Sequence, residues 1–170
     1  NSVKKRRGYA KAFIDGVNSC SGSIILFSDT GKKYDYKNFY EFLRVFKEKK
    51  LDLLTGYRIE RKDKIIRKLL SFFYSTFCNI LFLKRYQDYD CGFKIFNKNK
   101  LLLILNQYKF NKYLMTSQIF IYFIISKYKV DQLPIKYLED KNRESRGIPT
   151  NKIANFILSS IICLIKIKFK

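Results

Sequence analysis

The chain has 170 residues, with 35 Lys+Arg against 14 Asp+Glu and a formal net charge of +21. Its 47% hydrophobic content suits one domain with a sizeable core and excludes a disordered polycation. Histidine is absent, which excludes Ser-His-Asp and Cys-His nucleophile systems, His-ligated metals and His proton shuttles within the chain. Acids, bases and metal ligands must come from Asp, Glu, Cys or Tyr.

The opening run NSVKKRRGYAKA has no apolar stretch, so no signal peptide is visible. Residues 8–20 carry helical spacing through Tyr9, Phe13, Gly16, Val17 and Cys20, ended by Ser21-Gly22. SIILFSD is a continuous apolar run between turn residues, which predicts a buried parallel strand with Asp29 at its C-terminal tip. A helix is expected at 37–49, with Phe39, Phe42, Leu43 and Phe46 on one face, then a second buried strand, LDLLTGYR, at 51–58. A long amphipathic helix follows at 63–83. QDYDCGFKIFN combines two acids, a Cys-Gly turn and a short strand. Residues 98–106 and 113–126 read as helices. VDQLPIKYLED at 130–140 alternates as a strand and meets the polar loop KNRESRGIPTNK.

No stretch reaches the roughly 18–20 uninterrupted apolar residues of a spanning helix. The C-terminal IANFILSSIICLIKIKFK is uninterrupted from Ile157 to Ile165 before Lys166. It has two readings: a basic apolar helix on an anionic membrane surface, or a terminal helix packed on its own domain. The division is therefore 1–150 and 151–170. Cys20, Cys78, Cys91 and Cys163 show no metal-ligand spacing and are expected as packed, reduced thiols.

Alternating helices and strands imply an α/β fold with a mostly parallel sheet, whose ligands bind outside the carboxyl ends of the strands. Three constellations fall near that edge. Asp29 cannot serve the core and needs a cation, a backbone cap or solvent. It is either a ligand for a hard divalent cation bridging a nucleotide diphosphate, or an Asx-turn or helix cap. The run Gly56–Asp63, with Arg67 and Ser71 on one helix face, suits phosphate oxygens or a solvated basic face. Asp88 and Asp90 flank Tyr89 and point the same way in an extended stretch. One of them is a candidate general base, or a holder of a hydroxyl or metal. The alternative is a polar turn with Gly92 at an unusual backbone angle.

Taken in order, these segments resemble the family 2 glycosyltransferases, in particular dolichyl-phosphate mannosyltransferases and bacterial polyprenyl-phosphate glycosyltransferases. The matching stretches are Arg7–Ala12 with Gly16, Ser21-Gly22, Leu26–Asp35, Gly56–Arg58 through Arg67 and Ser71, Asp88–Lys94, Leu133–Ile135 and the Arg143–Gly147 loop. The resemblance implies a GT-A, Rossmann-like nucleotide-diphospho-sugar transferase fold. It also implies inverting transfer from a nucleotide-sugar to polyprenyl or dolichyl phosphate, within cell-wall or glycan assembly at the cytoplasmic face of a membrane. It places Gly8, Asp29 and Lys33 on the donor side, with Asp29 as ligand for Mg²⁺ or Mn²⁺. It places Arg58, Arg67, Ser71, Arg143 and Arg146 at the acceptor phosphate. Asp88 is its first catalytic carboxylate and Asp90 its second.

Three departures qualify the match. Gly31 stands where a second metal-binding acid is common, and Lys33 where the family has Gln, which weakens the expected metal site. Gln118 falls where relatives carry Glu. The family's first strands, which grip the nucleotide base, have no counterpart before Gly8. The chain is therefore expected to be the second half to two-thirds of a catalytic domain, with an uncovered sheet edge and little activity alone. Two other readings remain at this point: a basic nucleic-acid-binding module, from the charge and the aromatic-Lys interleaving of QYKFNKYL, and an inactive remnant of a truncated gene.

Overall fold

The computed structural model describes residues 8–29, 34–61, 65–111, 114–138 and 153–169, with backbone alone for Tyr36 and residues 153–156. The element order is α1 (Tyr9–Ser19), β1 (Ile24–Ser28), a 3-10 turn (Tyr36–Asn38), α2 (Phe39–Glu48), β2 (Leu53–Ile59) and α3 (Ile65–Phe82). It continues with β3 (Phe93–Asn97), α4 (Lys98–Gln107), α5 (Met115–Ile125), β4 (Val130–Lys136) and α6 (Ile153–Lys168). This is the order that the hydrophobic patterning predicts. Local chemistry sets several boundaries. The Asn97 side chain accepts from the Lys100 amide at 3.2 Å and starts α4. Lys50, at φ 49, turns the chain from α2 towards β2.

The four strands form one sheet in the order β1-β3-β2-β4. β2 and β4 pair in parallel, whereas β3 runs antiparallel to both β1 and β2. Three strands thus share a direction and β3 opposes them; β1, expected as a buried parallel strand, is instead a partly exposed edge strand paired antiparallel with β3. That reversal matters for function. It sets the start of β3, and the acidic turn before it, beside the C-terminal tips of β1 and β2.

Side chains alternate across the sheet. Phe93 and Ile95 of β3 join Leu54, Phe42, Phe46 and Ile135 in a core under α2. Phe96, Leu53 and Ile25 join Phe13, Leu101, Phe120 and Phe123 in the larger core under α1, α4 and α5. α5 carries IFIYFII and is buried from Ser117 to Ile124, as a helix enclosed by its own domain must be. α6 packs against α3 and contributes Leu164 to the larger core.

Candidate functional site

The site is assembled at the end of the sheet where β1 and β2 finish and β3 begins. Asp29 follows the last residue of β1, and its amide donates to the Gly92 carbonyl at 2.9 Å. Its carboxylate fills the space where a β-carbon on Gly92 would stand, so any side chain there would overlap it. Gly92 therefore serves a close approach. Its φ is not in the left-handed region, contrary to the unusual angle that the turn reading required. The Gly92 amide in turn donates to the Tyr34 hydroxyl at 2.9 Å, which ties the turn to Tyr34.

Arg58, in the second half of β2, reaches across to the acidic turn. Its Nε donates to Asp88 Oδ2 at 2.6 Å and its Nη2 to Asp88 Oδ1 at 3.0 Å, a two-point ion pair. The Asp88 carboxylate also accepts from the Asp90 amide at 3.0 Å, which fixes the turn. Burial pushes the Asp88 carboxyl up, but the Arg58 charge and hydrogen bonds outweigh it and hold the carboxyl below its usual range. Arg58 is pulled down by burial and raised well above its ordinary value by Asp88. Its guanidinium also lies 5.7 Å from the centre of the Tyr137 ring.

Asp90 differs from Asp88 in each respect. It is open to solvent, yet crowded by protein, and desolvation pushes its carboxyl up to about 6. Asp88 and Asp29 add to the rise, while Arg58 and Lys94 oppose it. Asp29 and Asp90 both bear on the Tyr9 hydroxyl, which burial and these two charges raise above its ordinary value. Tyr9 approaches Asp29 Oδ1 at 3.5 Å and Thr116 Oγ1 at 3.1 Å, tying the start of α1 to the strand tip and to α5. Asp29, Asp88 and Arg58 thus all bear on the Asp90 carboxyl at this end of the sheet.

Two groups here have no sequence warning beyond an odd residue in an apolar run. Lys94, central in FKIF, is 1% exposed and donates to Thr55 Oγ1 at 2.9 Å across the β2–β3 ladder. Desolvation lowers its ammonium below the ordinary lysine value, opposed by Cys91, Asp88 and Asp90. Tyr9 reads in the sequence as one apolar position of a helix face. A buried-strand lysine is the detectable signal of the two, since an ammonium there needs partners.

The remaining sequence-predicted residues are dispersed. Gly8, at φ 84, is the N-cap of α1. Ser71 on α3 accepts from Arg61 Nη1 at 3.1 Å, and Arg67 lies one turn before Ser71 on the same helix. Arg58 is expected to face an acceptor phosphate, but its fork is occupied by Asp88. Gln118 is buried, accepts from the Asn111 amide at 2.7 Å and donates to Cys163 Sγ at 3.3 Å, so it joins α5 to α6. Lys33, Gly31, Arg143 and Arg146 lie outside the described residues. All four cysteines are free thiols; Cys78 and Cys91 are buried and Cys163 partly so, whereas Cys20, expected to be packed, is exposed at the end of α1. Among the described residues no group of three Asp, Glu or Cys could hold a metal, so Asp29 offers a cation one carboxylate.

No protein-family model matches the sequence. Solved structures do match the fold. Glucosyl-3-phosphoglycerate synthase from Mycobacterium tuberculosis with phosphoglyceric acid aligns at a TM-score of 0.66 and 14% identity, over 96% of this chain and 57% of that one. The UDP complex aligns at 0.64 and 15% over the same shares. The complex with Mn²⁺, UDP and glucosyl-3-phosphoglycerate aligns at 0.60 and 15%, over 98% and 56%. The chain therefore has a GT-A glycosyltransferase fold with a mixed sheet, and it spans a little over half the length of these structures.

Proposed function

We propose that the chain supplies the metal-side and acceptor-side part of an inverting glycosyltransferase that moves a sugar from a nucleotide-sugar to a polyprenyl or dolichyl phosphate. The observation that carries this reading is the convergence of Asp29 with the Asp88–Asp90 turn and Arg58 at the strand ends, on a GT-A fold. The structural neighbours' complexes with UDP, Mn²⁺ and phosphate-bearing acceptors support a donor and an acceptor of these classes here.

Roles follow from the environments. Asp90 is the better base: it is accessible, and its value near 6 matches the second ionisation of a phosphate monoester, roughly 6. It takes the proton from the attacking acceptor oxygen as that oxygen bonds to the anomeric carbon and the bond to the nucleotide diphosphate breaks. Asp88 is the positioning carboxylate, since Arg58 and the Asp90 amide occupy both its oxygens. Asp29 would contribute one carboxylate to Mg²⁺ or Mn²⁺, which when bound supplies positive charge to the departing diphosphate; the remaining ligands would be diphosphate oxygens and water. Arg61, Arg67 and Ser71 offer the acceptor phosphate its cations and hydroxyl, with Arg143 and Arg146 of the following loop. The basic apolar segment 151–170 is assigned to the surface of a membrane at its cytoplasmic face, where a lipid phosphate resides. Two strongly placed cations, Arg58 and Lys94, are committed inside the domain, which disfavours a nucleic-acid surface built from them.

The test is transfer from a panel of radiolabelled nucleotide-sugars to polyprenyl phosphate or phosphoglycerate, with Mn²⁺ or Mg²⁺, by these 170 residues and by a longer polypeptide that supplies the donor-side strands. Asp90-dependent labelling of the lipid by the longer polypeptide is expected, with little turnover by the 170 residues. Labelling confined to phosphoglycerate would replace the acceptor assignment, and no labelling of any acceptor would remove the reading.

A further inference from the structure

α3 is apolar on the side that faces away from its own domain. Tyr74, Phe77, Cys78 and Leu81, at helical spacing, pack into the larger core. The opposite side carries Ile65, Leu69, Phe72 and Ile80, which are 75%, 49%, 66% and 71% exposed. Ile66, Leu70 and Phe73 form a second exposed row beside the first. A helix on a water-facing surface carries polar residues there. In the first row α3 carries one polar residue, Thr76, and it is also long and apolar enough by composition to cross a membrane. A crossing is inconsistent with its C-terminal half, which is built into the same core as the sheet.

The neighbouring helix repeats the pattern. α6 packs against α3, buries Ser160 and Leu164, and exposes Leu158, Ile162 and Ile165 at i, i+4 and i+7, with exposed Phe169 just past its end. Along these two helices the charge has one sign. From residue 64 to residue 87 the sequence holds Lys64, Arg67, Lys68, Lys84 and Arg85 and no acid. From residue 145 to the end it holds basic residues and again no acid.

We propose that α3, with α6 beside it, is a docking surface for an anionic phospholipid bilayer, lying in the plane of the interface with its outer apolar rows among the acyl chains. Apolar side chains flanked by cations, without acids, match the layered chemistry of such a bilayer: hydrocarbon beneath, phosphate above. A second copy of the chain fits poorly, because it would bring two rims of like charge together in a molecule already at +21. The proposal extends the membrane assignment from the terminal segment to a helix inside the domain. Its test reads no sugar transfer, so it stands or falls separately from the glycosyltransferase reading.

The chain has no tryptophan, so Phe72→Trp introduces a single indole probe on the outer row. Its emission is expected to shift to the blue, and to be quenched by brominated acyl chains, on adding phosphatidylglycerol vesicles and not phosphatidylcholine vesicles. The Ile65→Ser/Leu69→Ser/Phe72→Ser variant, with its fold checked by circular dichroism, is expected to lose at least about tenfold in partitioning. An unshifted indole, or unchanged partitioning of the triple variant, would overturn the proposal. So would a dimer in vesicle-free sedimentation that the triple substitution dissolves, which would make a second copy the occupant.

Discussion

The Asp29 carboxylate fills the space that a β-carbon on Gly92 would need, and this close approach joins the tip of β1 to the turn that carries Asp88 and Asp90. A methyl group on Gly92 has no room while Asp29 keeps its place. Gly92→Ala is expected to cost about 1–3 kcal/mol, as overpacking does, and to swing Asp29 away from the turn. Urea denaturation checks the cause through a cycle. In an Asp29→Ala background the same Gly92→Ala change should be nearly free, and an equal cost in both backgrounds would assign the strain elsewhere.

Removing one partner of the Arg58–Asp88 pair strands a charge that is close to fully buried. Asp88→Asn is expected to destabilise by about 3–5 kcal/mol, whereas the paired change Arg58→Met/Asp88→Leu should cost much less. The pH dependence has a definite sign. Asp88 has a depressed folded value, so its contribution is present above the unfolded carboxylate value of about 3.9 and is lost as pH falls through the folded one. Wild type should therefore lose stability in acid more steeply than Asp88→Asn.

Asp90 has the opposite dependence. Its folded value, about 6, lies above the unfolded one, so the native state holds the proton more tightly between pH 4 and 6. Stability falls as pH rises through that window and stays lower above it. Asp90→Asn removes the penalty: the variant should unfold at higher urea than wild type at pH 8 and at the same urea at pH 4. Because solvent reaches this residue, the gain is expected to be small. Transfer by the longer polypeptide should drop by about 10²–10⁴, as for loss of a general base, with the pH limb near 6 abolished.

The element order was legible because each helix and strand here has an apolar period or run of its own, down to the break at Ser21-Gly22. The direction of β3 was not. FKIFN has the same apolar content whichever way it runs, and its reversal is set by its pairing between β1 and β2. Spacing identified Asp88 and Asp90 as a pair but could not rank them, since their difference arises from Arg58, thirty positions earlier. Tyr9 was illegible as a site residue for the same reason: its polar neighbours, Asp29 and Thr116, are 20 and 107 positions away. The outer face of α3 was read simply as part of an amphipathic helix, because helical spacing shows that apolar residues recur and not which row meets the core.

Lys94 offers a test of how the site is tuned. Its ammonium is sealed between Thr55 and the ring of Phe120, whose centre lies 5.2 Å away, and it holds the Asp90 carboxyl lower than that carboxyl would otherwise sit. Lys94→Met keeps the length and apolar stem of the side chain and removes the charge. The fold should tolerate it, because a buried ammonium with a neutral hydrogen-bond partner contributes little that a thioether cannot replace. Asp90, however, should titrate above its wild-type value of about 6. Carboxyl carbon NMR of labelled protein reads this directly: an upward move of the Asp90 midpoint, accompanied by an upward move at Asp88, which Lys94 also holds down, is the expected result. An unmoved Asp90 would reduce Lys94 to a packing residue. In the longer polypeptide the acidic limb of transfer should move upward with Asp90, because the base then loses its proton at higher pH.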